Sequence, residues 1–129
     1  MTTFQIVAFY VALTLLFNPY LMLRIGNVRL KKNINLGDGG DEEMLARIRA
    51  HGNFTEVAPL ALIGLIAIAM LSGSALFLHI FGAAYFLGRI LHFLGMTGAF
   101  GKGRLIGTLT TLLVFVGEAV YLLYLIFLT

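Results

Sequence analysis

The segment RIRAHGNFTE at residues 47–56 runs directly into VAPLALIGLIAIAM at residues 57–70, and the apolar run is long enough to belong to a membrane span. The polar segment holds two arginines, a histidine, an asparagine and a carboxylate. Polar and ionisable groups on the first turns of a membrane helix cost free energy, so their presence indicates a functional site or a buried polar network.

Composition places the chain outside the ordinary soluble class. Of its 129 residues, 60% are hydrophobic and 12% are charged, whereas soluble domains carry about 25% charged residues. The absence of cysteine excludes disulfides, thiolate metal sites and a cysteine nucleophile, so any thiol chemistry needs a thiol supplied by a ligand. The net charge of +3 is small, and its basic residues cluster beside apolar runs, which favours membrane topology over nucleic-acid binding.

Apolar runs divide the chain into four segments of the length needed to cross a bilayer, about 20 residues each. We predict spans at about residues 4–25, 54–71, 75–96 and 105–128, forming one transmembrane domain over residues 1–129. The fold class is therefore all-α, an integral membrane four-helix bundle. Residues 1–5 lack lysine and arginine, so the first run reads as a retained span and not as a signal peptide.

Charge placement predicts the orientation. Lysine and arginine crowd the first and third connections, whereas the second connection and both termini have none. The positive-inside rule then puts the two basic loops in the cytoplasm and both termini on the other side of an inner membrane.

Helical periodicity sorts the polar residues of the opening segment. Arg49, Asn53 and Glu56 fall on one stripe, while His51 points to nearly the opposite face and is predicted to hold helices or a neighbouring subunit together. Arg49 and Glu56 lie two turns apart, so we expect them to interact only through Asn53 or a ligand. A ligand site and a buried structural network are both open here. Guanidinium and amide groups suit a small zwitterion with carboxylates and amides.

Arg89 and His92 share a face of the third span with Met96, within reach of the same ligand. The alternative for Arg89 is a side chain that extends to the membrane surface. Arg104 opens the fourth span. No recognised metal-ligand spacing joins the histidines and carboxylates, so we predict no metal site, and no phosphate-binding glycine loop follows a strand.

Glu118 lies much deeper on the fourth span. A lone glutamate at that depth is paired, protonated or part of a proton path. The candidate partners at similar depth are Tyr10, Thr14 and Tyr85.

These residues resemble the signature of one family, the membrane-associated proteins in eicosanoid and glutathione metabolism (MAPEG). The strongest match is RAHxNxxE at residues 49–56, followed by Pro59 in the second span. The match extends to GNVRLKK at residues 26–32, to Arg89 and His92, and to Arg104, so it covers essentially the whole chain. The short length and the RAHGN sequence at residues 49–53 resemble the small bacterial branch.

The resemblance implies a homotrimer that binds glutathione between neighbouring subunits near the cytoplasmic face. It implies that Arg104 stabilises the glutathione thiolate, which attacks a lipophilic electrophile or hydroperoxide arriving from the bilayer. The residues that it implies for glutathione binding are Arg29, from a neighbouring first helix, with Arg49, Asn53, Glu56, Arg89 and His92.

Three positions depart from the enzymatic relatives. Gly52 stands where several relatives have a basic residue, and Met96 and Thr108 stand where relatives often carry tyrosine. The leading hypothesis is a glutathione-dependent transferase or peroxidase. The alternative is a non-catalytic lipid-binding or scaffold protein of the same fold. A proton-coupled transporter that uses Glu118 is a third hypothesis.

Overall fold

A computed structural model describes residues 1–128, which contain four helices and no strand. The helices are α1 (Thr3–Lys32), α2 (Glu42–Met70), α3 (Ala75–Met96) and α4 (Gly103–Phe127). Each is long and apolar enough to cross a membrane. The prediction of an all-α membrane protein with four helices is confirmed.

The helix ends follow from local chemistry. Asp41 begins α2 by accepting a hydrogen bond from the Met44 backbone amide at 2.8 Å, as the sequence predicts for an acidic N-cap. Asn33 ends α1 in the left-handed conformation, with φ of 54°. The basic run at residues 24–32 is therefore the last part of α1 and not a loop. This helix has 30 residues and is roughly 45 Å long, so it extends beyond the hydrocarbon of a bilayer.

The helices pack unequally. α3 and α4 form a close hairpin, α2 contacts all three other helices, and the backbones of α1 and α4 do not approach each other closely within the described chain. Two apolar clusters fill the interior, one around Leu65 and Leu78 and the other around Ala61 and Tyr85. Large apolar side chains cover the outer faces of all four helices, which suits a lipid environment.

Glycines allow the backbones of α3 and α4 to approach each other closely. A Cβ atom on Gly107 would lie 2.4 Å from the Gly88 carbonyl oxygen and 2.6 Å from the His92 amide nitrogen. A Cβ on Gly95 would lie 2.0 Å from the backbone nitrogen of Arg104. Backbone meets backbone at both points, so the first turn of α4 is held directly against the end of α3.

Candidate functional site

A polar pocket lies at the end of the bundle where the connections 33–41 and 97–102 are found. Its volume is 420 Å³, within the range of small-molecule sites. The pocket is formed by the start of α2, the end of α3 and the start of α4. The residues that line it are Glu42, Leu45, Ala46, Arg49, Asn53, His92, Met96 and Arg104.

Arg89 forms the frame behind this pocket. Its side chain is buried, with Nη1 donating to Asn53 Oδ1 at 2.7 Å and Nη2 donating to the Gly107 carbonyl oxygen at 2.7 Å and to Thr111 Oγ1. One guanidinium thus ties α2 to α4 from its position on α3. Arg89 therefore lies behind Asn53 and not in the lining of the pocket, and the alternative of an arginine extending to the membrane surface is wrong.

The Arg89 bond also fixes how Asn53 faces the pocket. A guanidinium only donates hydrogen bonds, so the amide oxygen of Asn53 must face Arg89. The amide nitrogen, with its two donor hydrogens, is then left for the pocket. Asn53 therefore presents a donor, which suits a carboxylate or a carbonyl oxygen.

Two guanidinium groups line the pocket beside this amide. Arg104 is exposed on the first turn of α4, and its side chain has no hydrogen bond or ion pair among residues 1–128. Arg49 is 56% exposed and lies 3.8 Å from Glu56, a weak surface pair. The pocket is therefore a site of net positive charge with hydrogen-bond donors directed into it.

The direct Arg49–Glu56 contact corrects the expectation that these residues interact only through Asn53 or a ligand. The distance from Nη1 to Oε1 is 3.8 Å, because both side chains are long and meet over Gly52. A Cβ on Gly52 would lie 3.7 Å from Arg49 Nη1 and 4.0 Å from Glu56 Oε1. Both distances are ordinary van der Waals contacts, so the Arg49–Glu56 pair does not itself require glycine at position 52.

The other predicted binding residues divide into two groups. His92 is buried and lines the pocket beside Arg104. Arg29 lies outside the pocket, where Nη1 donates to the carbonyl oxygens of Gly37 at 2.9 Å and Ile34 at 3.3 Å. Within one chain, the structure brings Arg49, Asn53, His92 and Arg104 together and leaves Arg29 holding the first loop.

Glu42 also lines the pocket, although it is not among the residues that the sequence predicts to bind a ligand. It lies in the first turn of α2, where an acidic residue interacts favourably with the helix dipole. In the structure it supplies the carboxylate of the pocket. Its spacing of seven residues from Arg49 places it on the same helix face, and that is the signal that could have identified it.

His51 lies on the other side of α2, as its periodicity predicts. Its Nε2 is 2.9 Å from Asn18 Oδ1, so it joins α2 to α1 near Pro19. Arg47 also links the two helices by donating to the Arg24 carbonyl oxygen at 2.9 Å. These contacts are structural, and they support the orientation of the Arg49 face toward the pocket.

Glu118 has none of the predicted partners. Its carboxyl group is buried against α2, and Oε1 has no hydrogen-bond partner among residues 1–128. Tyr10 Oη lies 3.1 Å from His79 Nδ1, and Thr14 Oγ1 donates to the Tyr10 carbonyl oxygen at 2.8 Å. Tyr85 Oη is buried without a well-formed hydrogen bond in that range, and it lies close enough to Thr14 and Glu118 to interact with both. Of the three candidates, Tyr85 is thus a neighbour of Glu118, but no hydrogen bond joins them among residues 1–128.

The fold and this pocket define a class: a small integral membrane protein with a cationic ligand pocket at one end of a four-helix bundle. Comparison with known families makes the class specific. The MAPEG family profile matches residues 7–124, and the chain belongs to the MAPEG family.

One relative is inner membrane protein YecN of Escherichia coli (strain K12). It is 30% identical over 88 residues, which cover 68% of this chain and 67% of YecN. The protein of the same name from Escherichia coli O6:H1 matches to the same extent. No solved structure matches the chain at a significant level. The four apolar helices and this similarity support an integral inner membrane protein.

Proposed function

We propose that this protein is a membrane-bound, glutathione-dependent transferase or peroxidase that acts on lipophilic electrophiles or hydroperoxides. Membership of the MAPEG family suggests a glutathione-related function in the membrane. The observation that carries the proposal is the pair of guanidinium groups, Arg49 and Arg104, that line one pocket together with the Asn53 amide.

The groups of the pocket match those of glutathione. Glutathione has two carboxylates, one ammonium group, two amides and a thiol. Arg49 and Arg104 supply cations for carboxylates or a thiolate, Asn53 supplies a neutral donor, and Glu42 supplies a carboxylate for the ammonium group. Glu56, one of the residues that the family resemblance implies for glutathione binding, lies next to Arg49 and offers a second carboxylate.

Arg104 has the position and freedom to act on the thiol. Its guanidinium has no other hydrogen bond or ion pair in the described chain, and Gly95 holds its backbone against α3. A nearby cation lowers the pKa of a thiol and so increases the thiolate fraction at neutral pH. We assign Arg104 as the residue that stabilises the thiolate.

The reaction then follows from thiolate chemistry. The thiol gives its proton to solvent, and the sulfur forms a bond to the electrophilic carbon while the leaving group departs with its electron pair. With a hydroperoxide, the sulfur attacks the terminal oxygen and the O–O bond breaks. The alkoxide takes a proton and leaves as the alcohol. A second glutathione converts the resulting sulfenic acid to the disulfide and water.

The proposal includes a homotrimer with glutathione between subunits. Arg29 lies outside the pocket of its own chain, held by the first loop, so its implied contact with glutathione requires a neighbouring subunit. The proposed orientation has the pocket end in the cytoplasm, since it carries the two basic connections, and both termini on the opposite side.

The experiment is the ultraviolet absorbance of the thiolate after glutathione is added to the purified protein in detergent. We expect thiolate absorbance in the wild type, its loss in Arg104→Ala, and turnover of an electrophilic aromatic halide that follows the same order. Arg24→Ala is the matched control, because Arg24 lies over the Phe93 ring at 4.7 Å and does not line the pocket. Folded wild-type protein with no thiolate at saturating glutathione would refute the enzyme assignment.

A second candidate is a non-catalytic lipid-binding member of the fold. Two observations favour it: Met96 lines the pocket with a thioether, and the Thr108 hydroxyl donates to the Arg104 carbonyl oxygen at 2.8 Å. Neither side chain then offers a free hydroxyl to a ligand. This candidate predicts co-purified lipid and no turnover with aromatic halides.

A further inference from the structure

Thr111 lies behind the polar pocket and is not part of its lining. The residue is 4% exposed and stands seven positions along α4 from Arg104, which corresponds to roughly 10 Å of helix. The binding of glutathione as proposed gives Thr111 no role. Its hydrogen bonds nevertheless connect it, through Arg89, to a residue that faces the ligand.

The direction of the hydrogen bonds at Thr111 is fixed. Arg89 Nη2 bonds to Thr111 Oγ1, and a guanidinium has only donors, so the hydroxyl oxygen accepts. The single hydroxyl proton is then left for the Gly107 carbonyl oxygen, 2.9 Å away on the preceding turn. Arg89 Nη2 also donates to that carbonyl oxygen at 2.7 Å, so Thr111 and Gly107 together hold one end of the guanidinium.

The other end of the guanidinium depends on this hold. Arg89 Nε is buried without a partner among residues 1–128, so the two terminal nitrogens alone fix the rotation of the planar group. Arg89 Nη1 donates to Asn53 Oδ1 at 2.7 Å. Because the guanidinium is rigid and planar, the bonds at Nη2 also set the position of Nη1.

Asn53 turns this arrangement into a property of the pocket. It lines the pocket, and since its oxygen is bound to Arg89, its amide nitrogen is the atom left for a ligand. A guanidinium that rotated freely would no longer distinguish the oxygen of this amide from its nitrogen. An amide oxygen that faced a ligand carboxylate would repel it, because both groups are acceptors.

We propose that Thr111 is a positioning residue for ligand recognition, which acts through Arg89 to hold Asn53 with its amide donor toward the pocket. The site thereby selects ligands that bring a carboxylate or carbonyl oxygen to that donor. The inference rests on the proposed binding of glutathione, which carries both groups. Arg104 takes no part in these hydrogen bonds, so recognition by Asn53 is separable from stabilisation of the thiolate.

The test compares two quantities for the full chain in detergent: the Kd of glutathione, from calorimetric titration, and the thiolate absorbance at saturating glutathione. Thr111→Val keeps the shape of the side chain and removes the hydroxyl. We expect its Kd to be roughly three- to tenfold higher than that of the wild type, the range for one hydrogen bond. The thiolate absorbance at saturation should stay at the wild-type level, whereas a general disturbance of the pocket would lower both.

Two further threonine variants serve as controls. Thr111→Ser keeps the hydroxyl and should bind glutathione within about twofold of the wild type. Thr110→Val is the matched control, because the Thr110 hydroxyl donates to the Ile106 carbonyl oxygen at 2.8 Å, an intrahelical bond of the same kind, and is not a partner of Arg89. Its Kd should be that of the wild type.

Asn53→Asp tests the direction of the amide without altering Thr111. The new carboxylate pairs with the Arg89 guanidinium, so the protein should remain folded with its stability retained. The same carboxylate presents an acceptor to the pocket in place of a donor. We therefore expect glutathione to bind at least tenfold more weakly than to the wild type.

The outcomes separate this inference from the proposed function. Folded Thr111→Val or Asn53→Asp that binds glutathione as tightly as the wild type would overturn the inference alone. It would also be overturned if Thr110→Val weakened binding as much as Thr111→Val, or if Thr111→Ser failed to restore it. A wild type that binds no glutathione would refute the proposed function, and the inference with it.

Discussion

Arg89 and Glu118 are ionisable residues that are buried to the same degree, each 3% exposed, but they differ in the hydrogen bonds that they make. Arg89 donates hydrogen bonds through Nη1 and Nη2 to Asn53, Gly107 and Thr111 and so joins three helices, although its Nε has no partner among residues 1–128. Glu118 makes no hydrogen bond that satisfies Oε1 within the described chain. Equal burial therefore hides a difference in bonding, because the arginine links three helices and the glutamate links none through a hydrogen bond.

The largest expected difference is in stability. Arg89→Leu removes the donor of Asn53 Oδ1 and Thr111 Oγ1 and one of the donors of the Gly107 carbonyl oxygen, and we expect a loss of about 3–5 kcal/mol in the free energy of unfolding. Glu118→Leu removes a polar atom that has no partner, so stability should stay within about 1 kcal/mol or rise. Titration with sodium dodecyl sulfate in mixed micelles measures both. If Glu118→Leu is as destabilising as Arg89→Leu, the carboxyl group has an internal role and the comparison fails.

The next largest effect on stability is expected from substitutions of Gly107, near Arg89, and Gly64, near Glu118. Gly107→Ala places a Cβ against backbone atoms of Gly88 and His92, which cannot yield, and should cost about 1–3 kcal/mol. Gly64→Ala meets only the end of the Glu118 side chain, which can turn aside. It should be nearly neutral, since alanine also favours a helix over glycine. Unfolding titrations of the two variants compare them directly, and equal losses would mean that Glu118 is held rigidly.

A smaller effect sharpens the comparison at the level of single hydroxyl groups. Thr111→Val removes an acceptor of Arg89 and should cost about 1 kcal/mol. Tyr85→Phe removes a buried hydroxyl that has no well-formed hydrogen bond in the described chain, with Thr14 as a near neighbour, and should cost less than Thr111→Val. The same unfolding titration applies. A marked loss of stability in Tyr85→Phe would show that the hydroxyl has a hydrogen-bond partner, such as a buried water.

The smallest expected effect on stability is the pH dependence that comes from Asp41, at the exposed start of α2. The Lys32 ammonium at 2.6 Å, together with the Met44 backbone amide, holds the pKa of the Asp41 carboxyl below its usual value of 3.8. A carboxyl group whose pKa is lower in the folded than in the unfolded protein stabilises the fold at pH values above its unfolded pKa. This contribution is lost as the pH falls through the folded pKa. Stability should therefore be constant above about pH 4 with respect to this group and decline below it. Asp41→Asn should flatten that decline, and salt should weaken it.

The sequence predicted much of the fold because the physical signals were local. Apolar runs of membrane length, the Asp41 cap and the turn before Ala75 each follow from a few neighbouring residues. Hydropathy predicts a span and not the full helix, and α1 continues beyond the predicted span through its basic run, where hydropathy carries no signal.

The site was predicted in part for the same reason. The spacing of Arg49 and Asn53 on α2 is a property of one helix, and it placed both in the pocket. The approach of Arg104 depends on backbone contact with Gly95, and the lack of a partner for Glu118 depends on how α2 meets α4. Contacts between helices depend on their relative rotation and register, which no single stretch of sequence specifies.

Calorimetric titration of the detergent-solubilised protein with glutathione tests most directly whether the polar end is a ligand site and Arg89 its frame. We expect saturable binding to the wild type, at least tenfold weaker binding to Arg104→Ala at unchanged stability, and unchanged binding to Glu118→Leu. Folded wild-type protein that gives no heat of binding, or Arg104→Ala that binds as tightly as the wild type, would contradict this assignment.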